Sequence, residues 1–342
     1  MRIITPLLCL CILFSSCNSG EKIPDVSHIK VELATERFEK DFFKLDSAAL
    51  LQGLQQLQVK YPYFFNDFSE KILGVEGDGN AGNAIQSFLL SYRSIYDSTQ
   101  QLFGDFSQYE SEIKGGLQIV KYYFPNYKLP SKIITFIGPM DASYKTAFGL
   151  QGDILTNNAI GIGLQLHMGA GFSFYKSEQG MQLYPDYIAR NFTPYTITVN
   201  ALRNITDDLY PEKLEDKTLV QQMVEKGKRL YLLHRFLPRT PEHLLIGYSS
   251  DLVKQCYQHE KEIWNMFVQN NVLQQTDENV IKNYIGESPK TQELGDASPG
   301  NIGSWAGYQI IKKYMQENSS ITLQQLIAKD ADEIFQAAKY KP

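Results

Sequence analysis

Ile133-Ile134-Thr135-Phe136-Ile137-Gly138, followed by Pro139, is the stretch on which the fold turns. Five consecutive apolar or β-branched residues closed by Gly-Pro predict a strand buried on both faces. Downstream, Thr146 to Leu155 and Ala159 to His167 predict further strands, with Asn157-Asn158 as the turn between them. Ile160, Ile162, Leu164 and Leu166 alternate, so the segment from Ala159 to His167 reads as a strand with one face buried.

Helical spacing dominates on either side of these strands. Val31 to Phe43 runs from an extended start into a helical turn with Phe38, Phe42 and Phe43 on one face. Asp46 is placed to cap a helix over about 47–59, and Tyr61-Pro62 breaks it. Residues 84–96, 99–106 and 109–124 continue as helices. After Pro194, helices are expected over 196–210, 219–236, 241–270 and 302–316. The fold class is therefore α+β and predominantly α-helical. A small mixed or antiparallel sheet lies between helical N- and C-terminal parts.

The chain has 342 residues, 43% hydrophobic and 21% charged, which is ordinary for a globular protein. A formal net charge of -5 gives no global basic field for nucleic acid. The N-terminus is an address: Arg2, an apolar run from Ile3 to Phe14, then Ser15-Ser16-Cys17. The run is too short to span a bilayer and fits a secretory signal over 1–16. Small residues before the cysteine resemble a bacterial lipobox, so Cys17 is expected to carry lipid, with 17–24 as the lipidated cysteine and tether. Phe14 stands where Leu is usual. Asn18 in place of Asp removes an inner-membrane retention signal, so an outer-membrane lipoprotein is expected, on either face. Cys9 and Cys11 leave with the signal, and Cys256 then has no partner for a disulfide.

The tests for catalytic chemistry are negative. His28, His167, His234, His243 and His259 contain no pair four residues apart, and position 263, where a zinc motif starting at His259 needs its second histidine, is Ile. Gly-X-Ser-X-Gly is absent, and Gly161-Ile162-Gly163 lacks the third glycine of a nucleotide loop. Asp78 lies in a Gly-Asp-Gly-Asn run that does not meet the calcium-loop pattern. No cofactor or metal is expected.

Several blocks in order resemble the gliding-motility lipoprotein GldB family of Bacteroidota. They are the lipobox, Arg37-Phe38-Glu39 with Tyr61-Pro62, Ile160-Gly161-Ile162-Gly163, Gly227-Lys228-Arg229-Leu230-Tyr231, and Gly303-Ser304-Trp305-Ala306-Gly307-Tyr308-Gln309-Ile310. The resemblance covers nearly the whole chain beyond the signal, and divides it into a helical part over 25–130 and a zincin-like sheet-and-helix part over 131–342, packed as one unit. Members are similar to zincin-type metalloproteases. On that likeness Asn200 and Asn204 occupy the two histidine places of the metal helix, Ala201 the general base, and Lys226 the downstream glutamate. None of these side chains does the required work: alanine transfers no proton and lysine is a cation.

The resemblance implies a non-catalytic envelope protein of the motility or secretion machinery, held at the membrane by its lipid and acting through a protein partner. The sequence reading gives it a cleft lined by Ile160, Ile162, Leu164, His167 and Lys228, with a peptide added along the exposed strand. Two other classes stand beside it. One is an outer-membrane glycan-binding lipoprotein, which needs a row of exposed Trp and Tyr rings; the two tryptophans, Trp264 and Trp305, both sit in amphipathic helical contexts, which ranks it lower. The other is an active hydrolase with an unrecognised site at Asp207, Asp208 or Glu225.

Overall fold

A computed structural model describes residues 22–75 and 81–342. The signal segment, Cys17 and the Asp78 run lie outside the described residues.

The sheet has four strands: β1 (Ala34–Arg37), β2 (Lys132–Phe136), β5 (Ile154–Leu155) and β6 (Ala159–Gly163), in the order β1-β2-β6-β5. β1 runs parallel to β2 and β2 parallel to β6, with Ala34 opposite Lys132 and Lys132 opposite Ala159. β5 closes the sheet antiparallel to β6, with Ile154 opposite Gly161. A separate hairpin, β3 (Tyr144–Thr146) and β4 (Gly149–Gln151), stands off the sheet. Helices dominate the rest, as the periodicity requires. Asp46 accepts the amide of Ala48 as the expected cap, and the helix then runs Leu50–Lys60.

β1 is fixed by a side-chain knot. Arg37 Nε donates to Glu39 (2.8 Å) and to Thr135 Oγ1 (3.0 Å), and Thr135 Oγ1 donates to Glu39 (2.6 Å). Behind it, Phe38 packs edge-on against Tyr61, Phe64 and Phe68 at 5.1, 5.1 and 4.7 Å between centroids. The Arg37-Phe38-Glu39 and Tyr61-Pro62 blocks are thus two sides of one cluster.

The back of the molecule is built on the helices Leu219–Phe236 and Ile302–Glu317. A capping box closes the first of them: Thr218 and Gln221 bond each other's backbone amides. The Ile197–Leu209 helix lies between this back, the Ser107–Tyr123 helix and strands β5 and β6, and most of it is buried. One continuous core reaches from Val31 to Tyr340.

Two expectations are corrected. The helix expected over 241–270 is three: Glu242–Ile246, Ser250–Gln258 and Glu260–Gln269. Gly247 ends the first in a left-handed conformation (φ 85°), and Ser249 caps the second through the amide of Leu252. The strand expected over Ala159–His167 is not exposed. β6 is paired on both sides, by β2 and β5, and Gly163 N donates to Asp153 at 2.9 Å. Leu164–Leu166 turns into a short 3-10 helix.

Candidate functional site

Asn200, Arg203, Asn204 and Asp207 share one face of the Ile197–Leu209 helix, at spacings of three, four and seven residues. Burying such a polar face requires an acceptor or donor for each group. Arg203 supplies one, donating to Asn200 Oδ1 at 3.1 Å. It also reaches the carbonyl of Leu245, at the end of the Glu242–Ile246 helix, at 2.9 Å, and stacks over Phe148 with 5.4 Å to the ring centre. Burial pushes its guanidinium down to about 10. Asn204 Oδ1 accepts from Gln151 of the hairpin at 3.0 Å, while its Nδ2 is buried without a partner. Ala201 is fully buried.

Asp207 accepts the amide of Ala147 at 3.1 Å. Burial outweighs that bond and the Arg229 guanidinium 3.9 Å away, and raises the carboxyl to about 6. Lys226 meets the same hairpin from the long helix. It donates to the Ala147 carbonyl at 2.7 Å and pairs with Glu212 at 2.6 Å. Burial lowers its pKa, against the pull of Glu212. Asn204, Asp207 and Lys226 therefore converge on one hairpin, and Asn200 joins them through Arg203 above Phe148.

Two cavities flank this hairpin. The outer one, about 970 Å³, is lined by Lys145, Phe148, Glu212, Lys226 and Glu287 among others. The inner one, about 60 Å³, is lined by Phe148, Arg190, Asn200, Arg203, Tyr248 and Glu287 among others. Both touch Phe148, Leu150, Glu287, Ser288 and Asn301, so they adjoin. A larger groove of about 1310 Å³ lies elsewhere, between residues 23–27, the Ser107–Tyr123 helix and residues 236–244. It is mostly apolar and carries none of the polar face except its neighbours Thr198 and Val199.

The remaining expected cleft residues are placed differently. Ile160, Ile162 and Leu164 are fully buried in the core, so they line no cleft. His167 is fully buried, bonded to Asp153 at 2.9 Å and to the Thr193 carbonyl at 3.1 Å, as a structural histidine is. Lys228 points the other way, to the Lys329 carbonyl (2.6 Å) and Glu225 (3.3 Å). Glu225 is also held by Lys217 at 3.0 Å and by the Tyr210 hydroxyl. Burial pushes its carboxyl up, but Tyr210, Lys228 and Lys217 together hold it below the usual range. Asp208 accepts from Tyr127 at 2.6 Å. Trp264 and Trp305 are buried, so neither is a sugar-stacking platform.

Arg190 and Arg203 are the residues that the sequence reading did not single out. The spacing of Arg203 with Asn200 and Asp207 was the available signal.

Among the described residues no three His, Cys, Asp or Glu side chains converge as a metal cage requires. The donor set at the helix face does not fit zinc either: both asparagine oxygens already accept hydrogen bonds. No helix among the described residues is long and apolar enough to cross a membrane.

Neither a curated protein nor a solved structure matches the chain. The family model described as "Gliding motility protein GldB" matches residues 19–342, nearly the whole chain and every block quoted above that lies beyond the signal segment. The chain therefore belongs to the gliding motility protein GldB family.

Proposed function

We propose that this member of the GldB family is an outer-membrane lipoprotein whose body is a non-catalytic, zincin-like unit that works by binding another envelope protein. On this reading residues 1–16 are removed, Cys17 is acylated, and 17–24 tether the fold to the membrane. The partner belongs to the motility apparatus or its associated secretion machinery.

One observation carries the reading. The buried helix face that would hold a metal and a general base holds Asn200, Ala201 and Asn204, with both asparagines engaged inside the protein. Lys226, at the place of the downstream glutamate, is spent on Glu212 and the Ala147 carbonyl. A face so occupied favours structure and recognition over hydrolysis. The adjoining cavities, rather than strand β6, are the concave surface available to a partner.

The test is crosslinking of the native lipoprotein in cells, with identification of what is joined to it. Motility or secretion components are the expected catch; sugar-uptake proteins alone would overturn the partner assignment. Stoichiometric zinc in the purified protein, with a peptidase activity lost in Asn200→Ala, would overturn the non-catalytic assignment.

A further inference from the structure

Arg203 is a buried cation that no carboxylate bonds directly; Asp207, Glu287 and Asp153 act on it only through space. Its acceptors are the Asn200 amide oxygen and the Leu245 carbonyl, both neutral, and its Nε is buried without a bond. Arg190 lines the same inner cavity, and its Nε is also buried and unbonded. Two guanidinium groups, one fully buried and one half-buried, with no carboxylate bonded to either are a costly arrangement for the empty protein. A bound anion resolves it, because guanidinium and carboxylate match in shape and form paired hydrogen bonds.

The rest of the recess agrees. With Asn200 Oδ1 engaged by Arg203, its amide NH2 remains as a donor. The sixteen-residue helix Ile302–Glu317 starts at the recess wall. Its N-terminal residue Asn301 takes the Ser304 hydroxyl rather than a backbone amide, so the first turn is left without a side-chain cap. Glu287 is the one acidic side chain on the wall, and its Oε1 accepts the Leu150 amide at 3.1 Å. Two arginines against one glutamate leave the recess positive.

Size narrows the ligand. At about 60 Å³ the cavity holds only a few waters, each needing roughly 10–15 Å³ of such space, so it takes a group of only a few heavy atoms. A carboxylate fits this limit, and the roomier outer cleft adjoins it for whatever carries that carboxylate.

We propose that Arg190 and Arg203 form a carboxylate receptor at the inner end of the cleft, and that the carboxylate is borne by a peptide segment lying in the outer cavity. The identity of the ligand as peptide rests on the protein-binding reading above; the anion site itself does not.

Calorimetric titration of the full-length protein tests it with three probes: sodium acetate, N-acetyl-trialanine with a free C-terminal carboxylate, and its C-terminal amide. The expected result is saturable binding of the free-acid peptide, at least tenfold tighter than acetate, with amidation weakening it tenfold or more. Arg190→Gln, which removes no bond inside the protein, is expected to weaken the free-acid peptide about tenfold without lowering the melting temperature. Arg203→Lys gives a second measure if it folds.

Acetate binding as tightly as the peptide would overturn the peptide source and leave a small-acid site. Equal binding of acid and amide, no binding of either, or no effect of Arg190→Gln would overturn the receptor. These outcomes are separate from the crosslinking result, which reads partners through any face of the protein.

Discussion

Gly227 and Gly307 meet main chain to main chain where the helices Leu219–Phe236 and Ile302–Glu317 cross. A Cβ placed on Gly227 would lie 2.3 Å from the Gly307 carbonyl oxygen, and one on Gly307 would lie 1.8 Å from the Met223 carbonyl oxygen. Both obstacles are backbone, which cannot swing aside as a side chain can. Gly307→Ala is expected to cost at least about 2–3 kcal/mol through overpacking, and Gly227→Ala a similar amount. Urea unfolding followed by circular dichroism measures it; a loss below about 0.5 kcal/mol for both would mean the helices separate freely.

Glu225 neutralises a buried cation. The Lys228 side chain is 1% exposed and pairs with Glu225, which also receives Lys217 and Tyr210. Glu225→Gln strands Lys228 and is expected to destabilise the fold by about 3–5 kcal/mol. Lys228→Met, which removes the cation and keeps the stem, should cost clearly less. Equal losses for the two variants in denaturant titrations would contradict the pairing.

Asp207 makes stability depend on pH in the unusual direction. Its folded pKa, raised to about 6 from 3.8, means the native state holds the proton more tightly than the unfolded chain. The stabilising contribution of protonated Asp207 is full below about pH 4 and is lost as pH rises through 6. Asp207→Asn keeps an acceptor for the Ala147 amide and removes the charge. It should raise stability at pH 7 by about 1–2 kcal/mol, after allowance for partial exposure, and leave it unchanged at pH 4. Melting temperatures of both proteins across pH 4–8 decide this; parallel curves would refute it.

Cys256 should be inert. It is buried, and burial pushes its thiol up to about 12. Iodoacetamide applied to the native protein is expected to leave the Cys256 peptide unmodified by mass spectrometry, and to label it fully after denaturation. Rapid labelling without denaturant would show that the helix Ser250–Gln258 opens locally.

Much of the framework was legible because periodicity and punctuation agreed. Leu219–Phe236 matches its predicted span end for end, with Thr218 and Gln221 as its capping signal. The turn at Asn157-Asn158 joins β5 to β6 as expected, with Thr156 N bonded to the Ala159 carbonyl at 2.9 Å. The errors have physical causes. In β6 the alternation of Ile160 and Ile162 with Gly161 and Gly163 suggested one open face, but glycines let neighbouring side chains close over that face as well. Gly247 and Ser249 were visible helix signals within 241–270, overridden by the apolar rhythm on either side. The arginine recess was least legible. An arginine in an amphipathic helix reads as a solvated residue until tertiary structure buries it.

The pairing of β1 with β2 joins Arg37 to Thr135, 98 residues further along the chain. A chain that emerges from its N-terminus cannot begin its sheet until nearly a hundred later residues have followed, and the loop between them must close against its own entropy. During that interval the ring cluster around Phe38 has no sheet to pack on. The nascent chain therefore presents sticky aromatic surface until Thr135 has emerged, an interval set by the topology alone.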